Sequence, residues 1–332
     1  MRHAAIDWRG WLPIRLWRTA EGWRLDWCHF GAQALREPFF SDDVDLALRH
    51  PFNQAMRRET SLQALLDGHA RQPALAPRAF VFHISRCGST LLAQMLARLD
   101  SHIVLSEPPP LDALLRAHYD DPAIASVQPD ALRAMLATYS QPRSGGERHV
   151  VIKLDAWNIF ELPRLRAVFP DTPCVFLYRH PLEVAVSQLQ MPGRHAVPGL
   201  LGSSPLALPA DEVTGMHRSA YVARIVARLL EAGLESCRRY GALPVNYEEL
   251  PGAVGGRLAA WLGLDADAAA AAMAGARDHA KRPGEAFQSD RERKRRQADD
   301  TLRDAVSAWA MPHYEALETL RLAGCDGSLP AA

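Results

Sequence analysis

Short apolar runs recur through the middle of the chain, each followed by a turn and then by residues with helical spacing. The runs are AFVFHIS (79–85), HIVLSEP (102–108), HVVIKLD (149–155) and PCVFLYR (173–179). Runs this continuously apolar predict strands buried on both faces, as in a parallel sheet. Helical stretches separate them. LLAQMLARL follows RCGST, a helical region covers about 110–138, another helix covers 157–168, and a third opens at Pro181 over 181–190. Proline is well placed there, because the first residue of a helix has no use for its N–H. Strands alternating with helices predict an α/β fold, a three-layer arrangement with a parallel sheet between two layers of helices. In such sheets ligands sit beyond the carboxyl ends of the strands. That places Arg86 to Thr90, Glu107, Lys153 with Asp155, and Arg179 where chemistry is expected.

The flanks read differently. Residues 1–75 form an N-terminal extension carrying five of the eight tryptophans, Trp8, Trp11, Trp17, Trp23 and Trp27. Residues 12–30 alternate apolar and polar positions around a Glu-Gly turn and predict a hairpin. A helix is expected over 59–68, ending near Gly68, before a proline-containing linker RQPALAP. The aromatics are expected to pack the extension onto the main domain, with acceptor or partner binding as the other role for this segment. The main domain spans 76–325. Beyond the four runs it contains a Pro-, Gly- and Ser-rich loop or lid over 191–214, and an amphipathic helix over about 215–240. A last short strand with a polar end follows at 243–250, then alanine-rich helix to about 277. An irregular charged segment covers 279–296, and a C-terminal helix about 299–322.

Composition narrows the classes. The chain has 332 residues, 38 basic and 38 acidic, so it lacks the basic excess of a general nucleic-acid binder while leaving room for a local anion site. No apolar run approaches the roughly 18 residues needed to span a bilayer. The N-terminus lacks an apolar core followed by a small-residue cleavage site, so no signal peptide is expected. Cys28, Cys87, Cys174, Cys237 and Cys325 form no CxxC pair and no metal-ligand spacing. They read as reduced thiols in a cytoplasmic protein, and no metal is expected. Abundant alanine and arginine fit a GC-rich bacterial genome.

Ser85-Arg86-Cys87-Gly88-Ser89-Thr90 lies between a predicted strand and a predicted helix. A helix N-terminus presents unpaired N–H groups and partial positive charge, and a glycine lets the backbone approach an anion. Arg86 adds a charged fork, and Ser89 and Thr90 add hydroxyls. The nucleoside-triphosphatase pattern, two glycines framing four residues before Lys and Ser/Thr, is missing. The segment instead resembles the phosphosulfate loop of sulfotransferases that use 3′-phosphoadenosine 5′-phosphosulfate (PAPS), in its Ser-Arg-Ser-Gly-Ser-Thr variety, with Cys87 at a position commonly serine. Tyr178-Arg179-His180-Pro181-Leu182-Glu183-Val184-Ala185-Val186-Ser187 resembles that family's 3′-phosphate site, an arginine at a strand end and a serine eight residues later. Val245-Asn246-Tyr247-Glu248-Glu249-Leu250 resembles the segment whose aromatic residue lies near the adenine, with Tyr247 in that place. The resemblance covers about residues 78–300.

What the resemblance implies is a P-loop-type domain binding PAPS as co-substrate and releasing adenosine 3′,5′-bisphosphate. Ser85, Arg86, Cys87, Gly88, Ser89, Thr90, Arg179, Ser187 and Tyr247 would hold the nucleotide. Arg86 would cover charge on the leaving phosphate bridge, and Lys153 would be a second cation, the other reading of Lys153 being a surface lysine. The general base is either Glu107 or Asp155, each of which is equally able to cap the helix that follows it. His180 and His83 read as hydrogen-bonding residues. The segment 279–296 stands where the family has a nucleotide-covering loop. There Lys281-Arg282-Pro283-Gly284 is a loose match, and the run Arg291, Arg293, Lys294, Arg295, Arg296 reads either as its substitute or, preferably, as a solvated helix face. A P-loop kinase of a small molecule using ATP and Mg²⁺ is the competing enzyme, and an inert nucleotide-binding interaction module the competing class. The acceptor is open among sugars, lipids, phenols, peptides and natural-product scaffolds.

Overall fold

A computed structural model of the chain describes residues 8–68, 73–276, 278–279, 282–286 and 291–325, with backbone alone at 278–279, 282–286, 291 and 325. The fold is α/β, with a five-stranded, all-parallel central sheet flanked by helices and a small antiparallel sheet near the N-terminus.

The N-terminal pattern forms its hairpin: β1 (Trp11–Thr19) pairs with β2 (Gly22–His29) from Trp11 opposite His29 to Thr19 opposite Gly22. After α1 (Phe40–Leu48) and α2 (Pro51–Ala55), a third strand, β3 (Arg58–Ser61), pairs antiparallel with β2. The helix expected over 59–68 is therefore shortened to α3 (Leu62–Gly68). The exposed edge of β2 takes the backbone hydrogen bonds of Arg58–Ser61, and Trp27 donates its indole N–H to Thr60 Oγ1 at 2.9 Å.

The central elements are β4 (Pro77–His83), α4 (Ser89–Ala97), β5 (His102–Ser106), α5 (Pro109–Asp120), α6 (Gln128–Tyr139), β6 (His149–Lys153), α7 (Leu162–Val168), β7 (Cys174–Tyr178), α8 (Pro181–Gln190), α9 (Ala210–Val213), α10 (Arg218–Tyr240) and β8 (Leu243–Asn246). The sheet runs β5-β6-β4-β7-β8. Every residue of β5 and β7 is buried, as their continuous apolar runs require. Only Leu243–Asn246 of the expected last strand pair. At Tyr247–Glu249 the chain closes into a single 3₁₀ turn, because Asn246 caps it, its Oδ1 accepting the Glu248 N–H at 3.0 Å. The alanine-rich segment divides into α11 (Gly252–Gly255), α12 (Ala259–Leu262) and α13 (Ala266–Gly275). Then come β9 (Asp278–His279), β10 (Arg282–Ala286), α14 (Arg291–Gln297), α15 (Asp300–Trp309) and α16 (Met311–Cys325). The single C-terminal helix expected from 299 is thus two. Pro312 carries no N–H for the bond that would continue α15, and its ring would clash one turn back.

The chain divides into two compact units, residues 1–80, 93–154 and 254–276 forming one and 81–92, 155–253 and 277–332 the other. In the first, the N-terminal sheet packs on α5 and α6. Tyr139, fully buried, donates its hydroxyl to the Pro13 carbonyl at 2.7 Å, and Trp23 donates to Asp121 at 2.8 Å. Trp8 stacks on Trp27 with ring centres 4.1 Å apart, and the Arg58 guanidinium lies 4.0 Å from the Trp11 ring centre. In the second unit, α10 packs against α8, α15 and α16. Gly233 gives the Phe176 ring its place, since a Cβ there would lie 1.9 Å from Phe176 Cζ. The carboxyl ends of β7 and β8 are tied to α16. The Tyr178 hydroxyl donates to Glu318, and Asn246 Nδ2 donates to Glu318 at 2.9 Å and to the Tyr314 hydroxyl at 3.1 Å. Burial, reinforced by Glu318, pushes the ionisation of Tyr178 upward. No described helix is long and apolar enough to cross a membrane.

Candidate anion-binding site

The loop 85–90 follows β4, the middle strand of the sheet, and enters α4 at Ser89. Its backbone is unusual. Among the described residues, those other than glycine with positive φ are Ser85 (64°), Arg86 (54°) and Glu107 (54°). Such conformations cost a side-chain-bearing residue about 1–3 kcal/mol and collect at ligand and active sites. The loop is pinned from below. His83 Nδ1 accepts the Ser85 N–H at 2.9 Å, and the buried Cys87 directs its thiol to the Leu177 carbonyl at 3.3 Å. Cys87 therefore contributes its backbone to the loop, its sulfur being used in packing. Ser89 and Thr90 are buried in the first turn of α4, where N–H groups lack intrahelical acceptors.

Helix α8 holds the loop from one side. Gln188, 1% exposed, donates its side-chain amide to Ser85 Oγ at 3.2 Å, and Arg86 Nη2 donates to the Met191 carbonyl just past the helix end at 2.7 Å. Ser187 precedes Gln188 on this helix and is half-buried. His180 caps α8 by accepting the Leu182 N–H at its Nδ1, 3.3 Å away. His83 and His180 are thus both acceptors for backbone N–H groups.

Arg179 and the loop meet at one residue, Tyr247. The guanidinium of Arg179 lies 4.2 Å from the centre of the Tyr247 ring. The same ring covers Gly88, where a Cβ would come within 2.7 Å of Tyr247 Cδ2 and 3.0 Å of Leu250 Cδ1. Gly88 also has φ +85°, a region costly for other residues. Gly88→Ala is expected to push the Tyr247 ring away from the loop and to strain the loop backbone, lowering the melting temperature; an unchanged melting curve would show that Tyr247 yields its place without cost.

Arg179 is itself buried and donates Nε to Glu183 Oε2 at 2.7 Å. Glu183, 2% exposed, accepts a second guanidinium on its other oxygen, Arg295 Nε at 2.8 Å. Two arginines on one carboxylate leave this trio one positive charge in excess, which favours an anion beside it. Arg295 belongs to α14, where Lys294 is buried, Arg295 is part-buried, and Arg293 and Arg296 are exposed. The expected solvated face over 291–296 is present at Arg293 and Arg296, while Lys294 turns inward and Arg295 reaches the buried Glu183. The side chains of Arg282 and Pro283, and the whole of Lys281, lie outside the described residues, and Gly284 is described by its backbone alone.

In the other unit, Lys153 is no surface lysine. It is 1% exposed, with Nζ 2.5 Å from Glu107 Oε1, 3.2 Å from Ser106 Oγ and 4.9 Å from the Phe39 ring centre. The Glu107 side chain keeps 20% of its surface open, and its N–H donates to the Lys153 carbonyl at 2.8 Å. Glu107 is not the N-cap of the helix that follows, since that place belongs to Pro108. Asp155 does the opposite. It caps the 3₁₀ turn Ala156–Glu161 in a reciprocal box with Asn158, its N–H donating to Asn158 Oδ1 at 3.1 Å. Among the described residues no three His, Cys, Asp or Glu side chains are grouped to hold a metal ion.

Sequence reasoning missed Gln188 and the role of Glu183, and it weighed Arg295 only as one member of the basic run over 291–296. Glu183 stands four residues after Arg179, the spacing of a helical ion pair, and was findable on that ground. Arg295, 112 residues away from Glu183, had no local signal. No family model matches the sequence, and no curated protein matches it either.

Proposed function

We propose that the chain is a PAPS-dependent sulfotransferase, transferring a sulfuryl group to an acceptor hydroxyl or amine. The observation that carries this reading is Tyr247, whose ring touches both Gly88 of the loop and Arg179 after the next strand. Two anion-binding motifs far apart in sequence thereby share one aromatic platform, as a nucleotide with phosphates at both its 5′ and 3′ positions demands. In the transfer, the acceptor oxygen bonds to sulfur as the bond from sulfur to the phosphate oxygen breaks. The electron pair leaves with adenosine 3′,5′-bisphosphate, and the acceptor proton passes to a base. Such transfers depend mainly on positioning and on fixed charge. We assign the loop N–H groups and Arg86 to the 5′ side, Arg179 and Ser187 to the 3′-phosphate, and Tyr247 to the adenine. Glu107 is the base in this reading, since Asp155 is occupied as a cap. The reading is also of a cytoplasmic enzyme. Burial pushes the thiols of Cys28 and Cys174 up to about 11 and that of Cys237 up to about 12, which leaves them un-ionised and slow to oxidise.

Thermal unfolding tests the donor. Adenosine 3′,5′-bisphosphate at a hundredfold its Kd is expected to add about 2.7 kcal/mol of stability, and ATP with Mg²⁺ to add little. A shift with ATP and Mg²⁺ alone would replace this reading with a kinase, and a bisphosphate shift without sulfate transfer to any acceptor would leave an inert module.

A further inference from the structure

The segment between α8 and α10 is not a featureless loop. It turns back on α10 and, with it, borders a partly open cavity of about 360 Å³, within the usual size range of small-molecule sites. Its wall is apolar, formed by Val197, Leu206, Leu208, Val213 and Ile225. Among the described residues no Asp, Glu, Lys or Arg lines it, and His195 and Tyr221 are its polar side chains. The segment is fastened in place. Arg228 of α10 donates to the Pro205 carbonyl at 2.6 Å and to the Ala207 carbonyl at 3.3 Å, and the Tyr221 hydroxyl reaches the His195 carbonyl at 3.5 Å.

This cavity is wired to the phosphate loop. Gln188 donates to Ser85 Oγ at 3.2 Å, and the same nitrogen lies 3.1 Å from Nε2 of His195 in the cavity wall. Gln188 Oε1 accepts the Gly193 N–H at 2.8 Å, fixing the amide's orientation and the start of the bordering segment together. One buried side chain thus joins the loop that would hold the donor to the wall of an apolar chamber.

We infer that the chamber receives the body of the acceptor, and that the acceptor is a compact, uncharged alcohol or phenol. The inference rests on the sulfotransferase reading. A sugar would bring several hydroxyls into a wall with too few partners, and a charged metabolite would lose its hydration with no counter-charge in return. An apolar ring or branched chain is satisfied by burial alone.

The test uses the full chain with 1-naphthol as probe and 1-naphthoate as its charged isostere, binding being measured by calorimetry with adenosine 3′,5′-bisphosphate present. Naphthol is expected to bind and naphthoate not. Val213→Trp and Val197→Phe fill the chamber from two half-buried positions, and each is expected to abolish naphthol binding with bisphosphate affinity and melting temperature retained. Naphthol binding that survives both fillings overturns the inference, as does naphthoate binding equal to naphthol. The two readings fail separately. A bisphosphate shift with no naphthol binding overturns the acceptor class and leaves the donor. Naphthol binding lost on filling, with no bisphosphate shift, overturns the donor and leaves an apolar-ligand site.

Discussion

Arg179→Ala is expected to lower affinity for adenosine 3′,5′-bisphosphate by roughly ten- to a hundredfold, the worth of a charged hydrogen bond at about 1.5–3 kcal/mol. Affinity for adenosine 5′-phosphate, which lacks the 3′ group, should change little. Calorimetry of both nucleotides on both proteins reads this directly, and equal losses would sink the assignment. Arg179 also neutralises Glu183 inside the protein, so the substitution leaves that carboxylate with Arg295 alone among the trio. A lower melting temperature is therefore expected as well. The double variant Arg179→Ala with Glu183→Gln separates the two effects. Removing the carboxylate charge should restore much of the stability while the loss of 3′-phosphate preference persists.

Glu107→Gln is expected to reduce turnover by about 10²–10⁴-fold, the usual contribution of a general base, with nucleotide affinity close to wild type. The substitution leaves the Lys153 ammonium without its carboxylate in a place where it is 1% exposed. Breaking a fully buried ion pair costs about 3–5 kcal/mol. The cost should be smaller here, because Glu107 is partly open and glutamine keeps an acceptor oxygen. Glu107→Gln with Lys153→Met removes the stranded charge and should regain stability without regaining turnover. Asp155→Asn is the control. Asparagine caps as well as aspartate, so turnover and stability should both hold. Unchanged turnover in Glu107→Gln would transfer the role of base to Asp155.

The positions that matter were legible to different degrees, for reasons of distance along the chain. The loop at 85–90 and the Arg179 segment are local patterns, each a strand, a turn and a helix start, and local patterns survive in sequence. Glu107 and Asp155 looked nearly alike, each a carboxylate after a strand, with Glu107 only slightly ahead as the base. Their difference is the capping box that Asp155 closes with Asn158, against the left-handed backbone and lysine partner of Glu107. Lys153 read equally well as a surface residue, because its counter-ion lies 46 positions earlier. The exposed-helix reading of Arg291 to Arg296 missed the contact of Arg295 for the same reason, its partner Glu183 being remote in sequence.

The sequence by itself determined the alternation of elements, the parallel sheet and the N-terminal hairpin. Those follow from hydrophobic period and turn chemistry, which act over a few residues. It also marked the two anion motifs. Tertiary structure alone decided the strand order, the pairing of β3 with β2, the burial of Lys153, the Arg179–Glu183–Arg295 trio and the chamber joined through Gln188 to Ser85. Each of these depends on which distant groups share a buried space. There an unpaired charge or polar group is costly enough that its partner, wherever it lies in the chain, fixes its role.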